Sequence, residues 1–392
     1  MNKLIYYFLI LFSISCVFDP ADLIFSLKIP LFTLCLITTL LFNFSNKKLT
    51  FNKELLIYTL CFISIPFFSI CVYFLRDGSY PYEGFSLFKS FILILLTFVF
   101  YINKINFIKP LSQILTLLSL VIIFTYVFIF VQVDYYYDLY TWGNKYGLIN
   151  IGEREYSGDL TYFSVFYVTS PMIIVSLAYY FDKFLKSSDN TKSFYLIIVI
   201  INFFGMILAG TRNNIIMAIF TPIIIYFLIK RKGYLFKTLI IFSIFFLLLS
   251  ISNYLFIIFD PSEFSNNIKL NLIKDYINIF SDPLNLIFGQ GLGSYYFWEA
   301  KSLNYFITEL TYIEIIRNFG LILGLFMIYL MFYPLSFYFQ EYMKSERSVK
   351  IAYFLYLIMA FTNPIYFSSL GIFILSIILA NIFINYEKFQ TK

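Results

Sequence analysis

The residues best suited to chemistry in this chain are a few arginines. Sixteen of its 22 lysines fall in one set of short gaps between apolar runs, while four of its six arginines, Arg76, Arg154, Arg212 and Arg317, fall in or beside the other set. A guanidinium fork binds phosphate oxygens two at a time and keeps its charge at any relevant pH. Arginine in that pattern points to anion binding or to pairing with nearby carboxylates. The pairing reading competes for Arg76, next to Asp77, and for Arg154, between Glu153 and Glu155. Arg212 stands in Ala209-Gly210-Thr211-Arg212-Asn213-Asn214, a polar hairpin between apolar runs. Gly210 permits the turn there, and Asn213 and Asn214 can cap the next helix or bond a ligand. A snorkelling arginine in a short loop is the plainer alternative for Arg212.

The second group lies in the stretch from Thr308 to Gly320, which contains Glu309, Glu314 and Arg317. Helical spacing puts Glu314 and Arg317 three apart, close enough to pair. Arg317 sits inside an apolar run, where a charge costs roughly 2.5–3.5 kcal/mol on insertion scales and faces a cavity or a partner. Glu309 has no such local partner. Partial burial raises a carboxylate's pKa and poises it as a general base, which makes Glu309 the better catalytic candidate. The absence of histidine from the chain argues against a classical zinc or haem site. The four cysteines lack Cys-x-x-Cys spacing and read as small core residues.

These residues must be positioned by helices in a membrane. The 392 residues are 60% hydrophobic and only 13% charged, outside the soluble range. Spanning a hydrocarbon core of about 30 Å takes roughly 20 apolar residues. Apolar runs near 4–18, 22–42, 55–75, 85–102, 107–132, 161–181, 194–209, 213–229, 235–259, 311–338, 350–362 and 365–385 predict about twelve spans in one all-α polytopic transmembrane helical bundle over residues 1–392. The first run reads as a retained signal anchor. The lysine-rich gaps belong inside by the positive-inside rule, which places both termini in the cytoplasm. Two long segments, 133–160 and 260–310, are then extracytoplasmic, and no inner loop is long enough for a nucleotide-binding domain. Segment 133–160 begins with tyrosines and carboxylates up to Trp142, suited to sugars and equally to a membrane interface. In 260–310, Ile268, Leu272, Tyr276 and Phe280 recur at steps of four, which predicts an interfacial amphipathic helix. The following Gly289-Gln290-Gly291-Leu292-Gly293 reads as a flexible turn near a ligand. It is not a dinucleotide fingerprint, because no βαβ pattern surrounds it.

Gly-Thr-Arg at a span boundary, Leu-Ile-Phe-Gly-x-Gly-Leu-Gly in a long outer loop, and Thr-Glu followed eleven residues later by Phe-Gly-Leu-Ile together resemble the O-antigen and capsule polymerase (Wzy) family, with its related O-antigen ligases. The likeness runs from about Asn202 to Gly371 and includes Thr362-Asn363-Pro364. The ligases usually carry a histidine where this chain has Glu309; glutamate there is similar to many capsule-type polymerases. The resemblance implies a membrane-embedded glycosyltransferase of GT-C type in the bacterial cytoplasmic membrane, working on its outer face without a cofactor. Its partners would be an undecaprenyl-diphosphate-linked oligosaccharide donor and acceptor, membrane lipid and a chain-length regulator, with no nucleic acid. Glu309 and Arg212 would be catalytic, and Arg76, Arg154, Arg317, Glu314 and Asn213 would bind substrate. The rival functions are a ligase-type glycan transferase and a lipid-linked oligosaccharide flippase or transporter. A transporter predicts charges along a path at mid-membrane depth, whereas the polar residues here gather outside.

Overall fold

A computed structural model of the protein describes residues 2–45, 52–132, 135–156, 160–229, 264–298, 303–308, 310–338, 340, 346–361 and 368–390. The helices, in chain order, are α1 (Asn2–Phe18), α2 (Lys28–Ser45), α3 (Lys53–Asp77), α4 (Tyr82–Ile92), α5 (Leu96–Ile102), α6 (Ile108–Val131), α7 (Tyr136–Lys145), α8 (Ile173–Lys186), α9 (Asp189–Leu208), α10 (Arg212–Ile229), α11 (Phe264–Phe280), α12 (Pro283–Phe288), α13 (Thr311–Phe332), α14 (Arg347–Ala360) and α15 (Ser369–Gln390). Two short antiparallel hairpins accompany them, β1 (Ile149–Tyr156) with β2 (Leu160–Tyr167) and β3 (Tyr296–Trp298) with β4 (Leu303–Tyr305). Among the described residues six helical stretches are long and apolar enough to cross a membrane: Lys53–Asp77, Tyr82–Ile102, Ile108–Val131, Asp189–Leu208, Thr311–Phe337 and Ser369–Gln390. Shorter apolar helices cover Lys3–Phe18, Lys28–Asn43 and Arg212–Leu228. The expected span 235–259 lies outside the described residues. The chain is a helical membrane protein.

One expected span begins otherwise. The run 161–181 opens as strand β2, paired residue for residue with β1 from Ile149↔Tyr167 to Tyr156↔Leu160. Its β-branched and aromatic residues suit a pleated ribbon as well as an apolar helix, and an adjacent partner strand decides the matter. The helix that follows, α8, has 14 residues and so a length of about 21 Å, short of a hydrocarbon core.

By its contacts the chain divides into two compact units, one of Met1–Ile114, Leu272–Glu346 and Tyr356–Lys392, the other of Leu115–Asn271 and Arg347–Leu355. In the first, α15 is the central element, buried at every residue from Ser369 to Ile384. Phe373 on α15 meets the rings of Phe12, Phe100 and Phe107 at 5.1, 5.8 and 6.1 Å, and these rings fill the space between α1, α5 and α6. Helix α3 starts on Asn52, whose side-chain oxygen accepts the N–H groups of Glu54 and Leu55, and stops at Gly78 in the left-handed region. Tyr58 on α3 ties it to α13 by donating to the Leu330 carbonyl at 2.8 Å.

In the second unit, a run of small polar side chains joins α6, α8 and α9. Asn202 accepts from Ser119 at 3.0 Å and donates to Thr116 at 3.1 Å, while Thr116 and Ser176 share a hydrogen bond of 2.8 Å. Polar side chains between apolar helices act as specific glue, because lipid offers them no other partner. Gly205 lets α9 approach: a Cβ there would lie 2.6 Å from the Cβ of Ser119. Gly205→Val is therefore expected to push α9 off α6 at a cost of about 1–3 kcal/mol. Thermal unfolding of the detergent-purified protein checks this, and an unchanged midpoint would contradict the packing.

Candidate functional site

The most densely connected polar group lies in the first unit and grows from a short helix. Asp282 caps α12 by accepting the Leu284 N–H at 3.0 Å, Pro283 follows at the first helical position, and Gly289 ends the helix at φ +78°. Gly289 is pressed against the backbone of Asn318 and Gly320, where a Cβ would sit 2.5 Å from the Gly320 nitrogen. Gly320 is itself at φ +76° and breaks α13 into two helical pieces. The segment read as a flexible turn is therefore a buried, tightly held loop. Gly289, Gly291, Leu292, Gly293 and Ser294 are all buried, and the loop is fitted against α3, α4 and α13.

A kink inside an apolar helix strands carbonyls that must find other donors. The Gln290 N–H bonds the Arg317 carbonyl at 2.7 Å, and the Ser69 hydroxyl bonds the Asn318 carbonyl at 2.6 Å. The loop thus satisfies the kink, and the kink in turn makes room for the loop.

Beneath it, Glu314 and Arg317 are both fully buried and form the pair that their spacing predicts. Arg317 Nε and Nη2 engage the two carboxylate oxygens of Glu314 at 3.0 and 2.6 Å. Nη1 reaches Gln290 at 2.9 Å and the Ser294 hydroxyl at 2.8 Å, while Nη2 also reaches the Phe306 carbonyl at 3.1 Å. The face of Tyr296 lies 4.9 Å from the guanidinium carbon. Glu314 further accepts from Tyr276 at 2.6 Å and from the Asn318 amide at 2.9 Å. Burial, and then the Glu314 carboxylate, hold the Tyr276 hydroxyl well above its ordinary pKa, so it stays protonated and donates. A guanidinium has five N–H groups, and every one of them here points at a protein acceptor. Through these bonds Glu314 and Arg317 tie α11, the glycine loop, the Phe306 backbone and α13 together.

Arg76 is different. Its Nη1 donates to the Gly289 carbonyl at 2.7 Å, its Nη2 lies 3.6 Å from Asp282, and its side chain is 35% exposed. The rival reading, pairing with Asp77, is not made; Asp77 accepts from the Ser79 hydroxyl. In the second unit, Arg212 opens α10 and is half-buried, as is Asn213. Gly210 makes the expected turn at φ +71°. The cap, however, is Thr211, whose hydroxyl accepts the Asn214 N–H at 3.1 Å, while the Asn214 side chain bonds Ser170 at 2.9 Å. Arg154 lies in β1 opposite Tyr162. Glu309 lies outside the described residues. The expected helix over 268–280 is present as α11; it buries Leu272 and Tyr276 as its spacing predicts and also buries Asp275.

Sequence reasoning missed Tyr276 as a partner of Glu314, as well as Gln290, Ser294, Thr308 and Asp282. Tyr276 was visible only as one step of an apolar stripe. Arg317→Met strands the Glu314 charge and is expected to cost about 3–5 kcal/mol, part of which Glu314→Gln restores in the double variant. Unfolding midpoints and membrane abundance measure this, and a single variant as stable as wild type would refute the network's role. Compared with protein-family models, with curated proteins and with solved structures, the chain matches none.

Proposed function

We propose that this protein is a polysaccharide polymerase, a glycosyltransferase that joins undecaprenyl-diphosphate-linked oligosaccharides on the outer face of the cytoplasmic membrane. The observation that carries the reading is the contact between Gly289 and Gly320, which locks together two of the segments that resemble the polymerase family. Arg76 enters from a distant part of the chain and rests on the same turn. A rigid floor beside a partly open arginine suits the binding of an anionic group whose charge grows during reaction.

In this reaction an acceptor sugar hydroxyl attacks the anomeric carbon of the donor glycan. The new carbon–oxygen bond forms as the bond from that carbon to the phosphate oxygen breaks. Glu309 takes the hydroxyl proton, and the negative charge passes to the departing lipid diphosphate. Arg76 meets that charge beside the Gly289 turn; Arg212, Arg154 and Asn213 carry the same role by the family resemblance alone. The glycan moves en bloc, and the diphosphate ester supplies the driving force without a nucleotide or a metal. Exposed rings on α7, among them Tyr137 and Trp142, suit the apolar faces of a saccharide. Glu314 and Arg317 act through the backbone they hold.

The test is the glycan banding pattern of a deletion strain complemented with variants. Glu309→Gln and Arg212→Ala are expected to leave single repeat units and abolish long chains while the protein remains in the membrane. Long polymer persisting in both variants would overturn the assignment. Full-length polymer accumulating on its lipid carrier in the deletion strain would favour a ligase instead.

A further inference from the structure

Arg76 closes a ring with the two ends of α12. Its Nη1 meets the carbonyl of Gly289 at the C-terminal end, and its Nη2 stands 3.6 Å from Asp282 Oδ2 at the N-terminal end. The other carboxylate oxygen of Asp282 caps the helix at Leu284. One side chain therefore does two separable jobs, as cap and as counter-charge. The 3.6 Å separation is beyond hydrogen-bonding distance, so Asp282 neutralises the guanidinium without occupying its N–H groups. Among the described residues, Arg76 spends one N–H on a hydrogen bond, the one to Gly289. Both side chains are part-exposed at the surface of the protein, at 35% and 44%, so the protein itself does not bar a ligand from them.

We propose that Asp282 is a positioning residue that holds Arg76 over the Gly289 turn and competes with a phosphate-bearing ligand for its charge. The inference rests on the reading of Arg76 as a contact to the lipid diphosphate. With the site empty, Asp282 keeps the guanidinium in place. Once a diphosphate takes the uncommitted N–H groups, the carboxylate repels it and so hastens release of the spent carrier. Such a residue limits the affinity of the site in exchange for turnover.

Asparagine caps a helix about as well as aspartate but carries no charge, so Asp282→Asn separates the two jobs. The experiment measures inorganic pyrophosphate binding to the full-length protein in nanodiscs at low salt, for wild type, Asp282→Asn, Arg76→Ala and the double variant. Asp282→Asn is expected to bind about threefold more tightly, the order of effect that an exposed ion pair can carry. The gain should vanish in the Arg76→Ala background and fade at high salt. The unfolding midpoint of Asp282→Asn should match wild type; if that variant does not fold, Asp282→Ser supplies an uncharged cap in its place. Loss of binding in Arg76→Ala with no gain in Asp282→Asn overturns the role of Asp282 alone. Pyrophosphate binding indifferent to Arg76→Ala, or absent from wild type, overturns the anion contact and with it this part of the functional reading.

Discussion

A charged guanidinium shut away from water must find an acceptor for each of its N–H groups, and much of the first unit is arranged to meet that demand for Arg317. Glu314 alone can supply two acceptors in bidentate geometry. The rest come from Gln290 and Ser294 in the glycine loop and from the Phe306 carbonyl. Because those acceptors belong to successive segments between Gln290 and Glu314, satisfying one side chain fixes the loop, the approach to α13 and α13 itself. Tyr276 brings α11 into the same set. A buried ion pair returns little net stability once desolvation is counted. Its contribution is geometric: another arrangement of these segments would leave a charge unpaired in an apolar interior.

The glycines are the steric counterpart of that electrostatic demand. Gly289 and Gly320 both adopt positive φ; a Cβ on Gly289 would strike the backbone of Asn318 and Gly320, and one on Gly320 the backbone of Ile287 and Phe288. Where the loop meets α4, a Cβ on Gly293 would strike the Gly84 nitrogen, and one on Gly84 the Leu292 carbonyl. Kinking α13 at Gly320 releases backbone carbonyls, and the loop is the element that comes close enough to bond them. Removing the kink would therefore deprive Gln290 of its acceptor, just as removing the loop would leave the Arg317 carbonyl exposed to an apolar environment.

Much of this was legible in the sequence wherever the signal was local. Apolar runs marked the long helices, and the i, i+3 spacing marked the pair of Glu314 and Arg317. The steps of four from Ile268 marked the buried face of α11, and Gly210 marked a turn. Signals that depend on a distant partner were not legible. The stretch Leu160–Tyr167 is apolar enough for a helix, and only the matching strand Ile149–Tyr156 makes it a hairpin. Alternating glycines suggest mobility until three helices are seen to close around them. Asparagines next to a helix start suggest caps, yet it is the hydroxyl of Thr211, two residues before Asn213, that accepts the free N–H of Asn214. Nothing near Arg76 in sequence names Asp282, and its nearest carboxylate, Asp77, is engaged elsewhere.

The difference between Arg317 and Arg76 bears on how charged residues in apolar helices are to be read. Both are arginines at the edge of an apolar helix, and composition treats them alike. Arg317 has no N–H left to give, so its charge serves the fold. Arg76 has one committed N–H and a counter-ion beyond hydrogen-bonding distance, so its charge is balanced but its donors are not used up. The distinction follows from counting donors against acceptors rather than from burial alone, since a half-exposed arginine with every donor engaged would be as inert as a buried one. On that count Arg76, resting on a turn that Arg317 holds rigid, keeps donors that Arg317 does not, and the buried pair gives any anion that meets them a fixed geometry.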